Sequence, residues 1–323
     1  MKPGAIPIPK HPLAEEAFRR WDELKQPRAR FETDWEDMAR LIRPQRGGFG
    51  MDSPTLRSLD KPLNSEPVIA HGHFAAGIYA GITNPATTWG GLATPDEDLN
   101  RWPPMAEWLD RTARRIHNSF SPSMSSFYSN SYQAYADLAV FGNAAAYDEL
   151  DSGKRKFRDV TLSLGEVVVD IDDFGQVNEA VRRYHLTPRQ AMRAFKGNVP
   201  AKIAELAERG AQEKHAYVRH VLPNDDWRQG SIGPKGKAWL SVTACELERT
   251  LLSLGGYDEM PFYYPRWDVD GGFSYGTGPG FVALPSARKL HLMEDATLRA
   301  SQRAADPTLL APDRDAVPMN GTF

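Results

Sequence analysis

Apolar residues recur at helical spacing through the first part of the chain and in alternation through its middle, and the change of period falls near residue 142. Between Leu13 and Ile42 the apolar positions Trp21, Leu24, Phe31, Trp35, Met38 and Ile42 stand three, four or seven apart with charges between them. That spacing predicts a long amphipathic helix, continuous or broken near Pro27, that ends at Pro44. Gly47 and Gly48 open a polar loop to about Pro62, and a second helix rich in Ala and Gly is predicted from Val68 to Ile82. Its small residues predict close contact with another helix, and Asn84-Pro85 stops it. The stretch Pro104 to Phe141 reads as two helices divided at Ser121-Pro122, with Met105, Trp108, Leu109, Ala113 and Ile116 on one face of the first and Gly142 as the stop of the second.

Beyond Gly142 the segments Ala144 to Leu150, Phe157 to Leu164, Glu166 to Ile171 and Val177 to Tyr184 alternate as antiparallel strands do. Thr187, Pro188 and Gln190 begin a short helix with a reciprocal cap, and another short helix follows Pro200. Strand patterns return at Ala216 to Leu222, Ala238 to Ala244 and Arg249 to Leu254, ahead of the aromatic run from Pro261 to Trp267. The last element is a helix from Ala283 to Ala304 with a narrow seam: Ala283, Ser286, Leu290, Met293, Thr297, Ala300 and Ala304. So narrow a stripe suits packing between similar helices, and Arg288, Lys289, Asp295, Arg299 and Arg303 occupy the other faces. An ordinary surface helix is the alternative reading. The order of elements predicts an α+β fold.

Composition narrows the function. The 323 residues carry a net charge of −3, without the basic excess of a domain that grips phosphates. Cys245 is the only cysteine, which rules out an intrachain disulfide and a cysteine-based zinc cage. No apolar run approaches the roughly 20 residues of a membrane span. Pro3, Pro7, Pro9 and Pro12 predict an extended N-terminal arm over residues 1–12, reaching a neighbouring subunit or frayed.

Several patterns imitate sites without the spacing their chemistry requires. Gly276-Thr277-Gly278-Pro279-Gly280 before a helix has the look of a phosphate cradle, but Pro279 removes a donor and no Lys-Ser/Thr pair follows. Asp170, Asp172, Asp173 and Gly175 open like a calcium loop, yet Phe174 and Val181 fall where ligands should stand, so a hairpin turn is expected. His71 and His73 lie two apart in a helical stretch, where side chains diverge. Asp96, Glu97 and Asp98 read as a solvated acidic loop. No catalytic constellation, metal site or cofactor is expected.

One ordered set of segments resembles a known family. It comprises Trp35 to Pro44, Ala75-Ala76-Gly77 leading to Asn84-Pro85 and Trp89, Phe141-Gly142-Asn143-Ala144, and Leu162 to Val167. Asp172-Asp173-Phe174-Gly175 with Arg182-Arg183-Tyr184, Leu186 to Ala191, Pro265-Arg266-Trp267, Tyr275 to Gly280 and Ala283-Leu284-Pro285 complete it. In this order they resemble the head-to-tail connector, or portal, family of short-tailed phages with T7-like connectors, and the likeness covers most of the chain.

The resemblance implies a structural subunit, not an enzyme, in a ring usually of twelve copies at a capsid vertex, through which double-stranded DNA passes. It implies a wing with a helical part (13–142) and a β-rich part (143–280), a stem helix (281–305) and the start of a clip (306–323). The implied partners are a terminase motor, tail adaptor, scaffold and capsid proteins, with assembly in the host cytoplasm and residence in the virion. Family members continue past this point, so a fragment, a truncated prophage gene or one piece of a split protein is expected. On the stem helix Arg288, Arg299 and Arg303 become candidates to face DNA, and Leu290, Met293, Thr297 and Ala300 candidates for the subunit interface. The competing expectation is a nucleotide- or phosphate-binding enzyme using Gly276–Gly280.

Overall fold

The computed structural model describes residues 8–49, 62–151 and 156–306. Helix α1 (Pro12–Leu41) runs unbroken through Pro27, whose ring lies on the exposed side, where the carbonyl left without a donor can be met by water. Helices α2 (Glu66–Ile82), α3 (Glu97–Arg101), α4 (Pro103–Ser119) and α5 (Phe127–Phe141) follow. The acidic stretch expected as a loop is instead the start of α3, because the Asp96 carboxylate accepts the Asp98 N–H and caps it. Gly142 takes a left-handed conformation (φ 68°) and ends α5.

The strands form two sheets. Strands β1 (Ala145–Asp151) and β2 (Lys156–Leu162) make a hairpin joined on its other edge by β8 (Phe262–Tyr263), in the order β2-β1-β8. Strands β3 (Val167–Ile171), β4 (Val177–Leu186), β5 (His215–Pro223), β6 (Trp239–Cys245) and β7 (Thr250–Tyr257) form a five-stranded antiparallel meander in sequence order. The β3–β4 turn is a side-chain-stabilised hairpin. Asp172 Oδ1 accepts the N–H groups of Phe174 and Gln176, and Gly175 supplies the positive φ. Helices α6 (Pro188–Ala194) and α7 (Ala201–Glu208) sit between β4 and β5, α6 opening with the reciprocal Thr187–Gln190 cap. The last described element is α8 (Pro279–Ala305). This is the α+β fold the sequence predicts, with the strands divided between two sheets.

Helix α1 organises the core. Its first half lays Ala14, Ala17, Phe18, Trp21 and Leu24 on Val168, Val181, Val218, Val242 and Ala244 of the large sheet. Its second half sends Trp35, Met38 and Leu41 into a second cluster with Phe141 of α5, Tyr147 and Leu162 of the small sheet, and Leu284 and Ala287 of α8. Between the halves Arg28 is fully buried and donates to the carbonyls of Leu164, Gly165 and Val167 at 2.9, 3.2 and 3.1 Å, with Glu32 at 2.8 Å as its counter-ion. Of the proline-rich arm, Ile8 adds an antiparallel bridge to Leu251 at the edge of β7, and residues 1–7 lie outside the described residues.

Candidate functional site on helix α8

The glycines before α8 are explained by packing. A Cβ on Gly280 would stand 2.0 Å from the Val140 carbonyl oxygen, and one on Gly142 would stand 2.3 Å from the Thr277 carbonyl carbon. Two of the backbone donors that a phosphate would need are already used: Gly276 N–H donates to Asn143 Oδ1 at 2.9 Å and Thr277 N–H to the Asp268 carbonyl at 2.8 Å. Asn143, buried between them, returns its amide to the carbonyls of Phe141 and Gly276. The Gly276–Gly280 segment is therefore a clasp that fixes the start of α8 to the end of α5, a turn feeding a helix, and the competing phosphate-cradle reading finds no support in it.

From this clasp α8 extends about 40 Å at 1.5 Å per residue. Gly280, Leu284 and Ala287 face the core. The seam lies roughly 100° further round the helix, so the seam is not the face that docks α8 on its own body. Ala283, Ser286 and Leu290 line a cavity of about 460 Å³, whose other wall is Ala70, His71 and Phe74 of α2. Met293 is 57% exposed, and Thr297 and Ala300 are exposed as well. Every residue from Ala296 to Asp306 is exposed, so the helix stands away from the body over its last turns. The hydroxyls of Thr297 and Ser301 donate to the carbonyls of Met293 and Thr297, one turn back.

The opposite flank of α8 carries the arginines. Arg288 reaches α1, 2.6 Å from Asp37 and 3.0 Å from Asp34, and these hydrogen-bonded carboxylates raise its pKa. Arg299 pairs with Asp295 at 2.8 Å on the same helix, while Arg303 is exposed. The three candidates are thus unequal: Arg288 is tied down by α1, and the other two stand on the free end. Sequence reasoning missed Asp34 and Asp37, which show no periodic signal, and the α2 wall of the cavity.

The remaining titratable clusters hold the body together. Arg43 and Arg46 both pair at 2.9 Å with the buried Asp137 of α5. His71 accepts from Arg43 at 3.3 Å, and its burial, together with that guanidinium, lowers its pKa to about 4, so it stands neutral beside the cavity. His71 and His73 do not converge on a common point, since His71 is half-buried and His73 exposed. On the sheet, Glu179 meets His220 at 2.7 Å and Arg20 at 2.6 Å. Burial would push that carboxyl up, but the hydrogen bonds from His220 and Arg20 outweigh it and hold the pKa at about 2. Asp148 and Asp159 face each other across the β1–β2 hairpin, and burial plus the neighbouring carboxylate raise Asp148 to about 7. Among the described residues no group of three or more His, Cys, Asp or Glu could hold a metal ion, and no helix is long and apolar enough to cross a membrane.

A body in which Gly142, Gly280, Arg28, Arg43, Arg46 and Asp137 serve packing, with one helix projecting from it, has the anatomy of a structural component. The chain belongs to the bacteriophage head to tail connecting protein family, whose model matches residues 14–323. It is 29% identical over 309 residues to the "Portal protein" of Salmonella phage epsilon15, covering 92% of this chain and 54% of that relative. To the "Probable portal protein" of Bordetella phage BPP-1 it is 27% identical over 304 residues, covering 91% of this chain and 53% of the relative. The chain therefore spans about half the length of the curated relatives it matches.

Proposed function

We propose that the chain is a structural subunit of the ring through which DNA enters and leaves a phage capsid. The observation that carries this reading is α8, whose first half is locked into the body while its second half stands free with an uncharged seam. The names of the relatives supply the setting. In this reading residues 13–142 and 143–280 build the outer wing and 281–305 the stem. The clip is assigned to 306–323, of which all but Asp306 lie outside the described residues. Leu290, Met293, Thr297 and Ala300 face a neighbouring subunit in a twelve-membered ring, while Arg299 and Arg303 face the channel, with Arg288 behind them as the member compensated by α1. A net charge of −3 suits DNA that must slide, since every phosphate gripped by a cation adds counterion-release affinity and slows passage. The partners are the terminase motor, tail adaptor, scaffold and capsid proteins; the subunit assembles in the host cytoplasm and resides at the portal vertex of the virion.

Native mass and electron microscopy of the purified chain test the reading. Closed rings of about a dozen copies are the expected result. A particle that stays single-copy at every concentration overturns it, and one that nucleotide and divalent metal stabilise against heat favours the enzyme reading in its place.

A further inference from the structure

The deep wall of the α2–α8 cavity belongs to the body, but its rim and the helix face beyond it are left open by the chain's own fold. Only Ala75 of α2 is buried; Ile69, Phe74 and Ile82 are 49%, 42% and 54% exposed. Gly77 and Gly81 lie on the side of α2 that carries Ala70 and Phe74, and a Cβ on either would meet nothing. Each glycine inside an exposed helix costs about 1 kcal/mol relative to alanine, and nothing within the chain requires these two. They leave the α2 backbone bare for a close-approaching neighbour. From Glu66 to Ile82 the helix carries no Lys or Arg and Glu66 as its only carboxylate, at the first turn.

The distal half of α8 has the complementary character. Its seam residues Met293, Thr297 and Ala300 are uncharged and exposed, and the Thr297 hydroxyl is turned back on its own helix. The seam cannot meet α2 of the same chain. Pro67, next to the first residue of α2, lines the cavity with Leu290, and Asn64, which precedes the helix, bonds Glu294 at 3.1 Å, so α2 begins where the distal seam starts. Helix α4 exposes apolar side chains too, Trp108 at 58% and Ile116 at 44%, but these are too bulky to approach a bare glycine backbone as closely as Thr297 and Ala300 can. They also stand beside the charged pairs Arg111–Glu107 and Arg114–Asp110. Burying such groups against either uncharged face would carry a desolvation penalty that the two uncharged faces avoid with each other.

We propose that the open groove along α2 seats the distal half of α8 from a second copy of this chain, with Met293 entering the cavity and Thr297 and Ala300 lying over Gly77 and Gly81. This rests on the ring reading and deepens it, because a groove on one copy that receives a helix from the next is a head-to-tail contact, the kind that closes into a ring when its rotation closes. The cavity of about 460 Å³ has room for side chains, many times the roughly 10–15 Å³ that one water takes up on the same measure.

The test uses the full chain, with a tag on one variant to separate the two by mass. Chains carrying Ala70→Cys are mixed with tagged chains carrying Met293→Cys, the seam residue placed in the cavity beside Ala70, and treated with a short thiol-to-thiol crosslinker. The native thiol, Cys245, is buried with its pKa raised by that burial, and contributes little background. A covalent tagged–untagged pair, absent when either variant is treated alone, is expected. Alongside it, Ala70→Glu and Ala300→Glu should each raise the concentration needed for assembly at least tenfold, while Arg111→Glu on α4 leaves it unchanged. Assembly that persists in both Glu variants, with no crosslinked pair, overturns the groove assignment and leaves the ring reading standing. An unaltered chain that stays a monomer at every concentration overturns both.

Discussion

Helices α1 and α2 are both rich in apolar side chains, and the fold treats them in opposite ways. Trp21, Trp35 and Met38 of α1 are buried against the sheet and α5, and even its Arg28 is satisfied by carbonyls and Glu32. The apolar side chains Ile69, Phe74 and Ile82 of α2 remain exposed, and its glycines face open space. The difference is one of alternation: α1 separates its apolar stripe from charges, as a helix on the surface of a single body does. A helix with apolar residues on every side and scarcely a charge is built for burial, and its own chain provides that burial on one side only. Unpartnered apolar surface of this kind marks an interaction face.

The largest effect should come from α1. Trp35→Ala removes a fully buried ring packed against Phe49, Phe141 and Tyr275 and should cost about 3–5 kcal/mol. Chemical denaturation followed by circular dichroism reads it. The comparison predicts that the same truncation on α2, Ile69→Ala, costs the dissociated chain under about 1 kcal/mol. Equal losses would mean that α2 belongs to the body after all.

A smaller effect belongs to the clamp between α1 and the sheet. Because Glu179 is held at about 2, below its ordinary 4.5, the stability it contributes is complete above pH 4.5 and is lost as pH falls from 4.5 towards 2. Glu179→Gln should therefore lower stability at pH 7 by about 1–3 kcal/mol and flatten the acid limb of the melting temperature against pH. An acid limb of unchanged slope would remove the clamp from the account.

The small sheet should respond in the other direction. Asp148 is raised from 3.8 to about 7 by burial and by Asp159, with Tyr263 and Glu259 close by. A raised carboxyl in the folded state means that stability falls as pH rises from 3.8 through 7. Asp148→Asn should stabilise the chain at pH 8 by on the order of 1 kcal/mol, allowing for its partial exposure, and by nothing below pH 3.8. Destabilisation at pH 8 would show that the carboxylate has a partner worth more than the repulsion it suffers.

Local chemistry made much of this legible from sequence. The three-four stripe of α1, the Gly142 stop and the Thr187–Gln190 cap are each written within a few residues and appear where expected. What depends on distant partners was not legible. Arg28 reads as a surface charge, because the carbonyls that bury it come from the segment Leu164 to Val167. On α8 both Ala283-Ser286-Leu290 and Gly280-Leu284-Ala287 keep helical spacing, and only the position of α5 decides which set faces the core. The division of the strands into two sheets was hidden for the same reason, since β8 joins β1 from more than a hundred residues away.

The finest contrast between the two regions is a methyl group. At Gly280, where a Cβ would collide with the Val140 carbonyl, alanine must push α8 off α5 and should cost several kcal/mol. At Gly77, where a Cβ meets nothing, alanine should stabilise the dissociated chain by up to about 1 kcal/mol through helix propensity alone. If a neighbouring helix lies on that face, the same methyl group holds the two backbones apart, and assembly should weaken while the monomer becomes more stable. Melting temperature at low concentration and assembled fraction at high concentration, measured on Gly77→Ala, separate the two terms. Opposite signs would place the glycine at an interface between copies. A gain in both would mean that α2 has no close neighbour, and that its exposed face belongs to some other contact of the assembly.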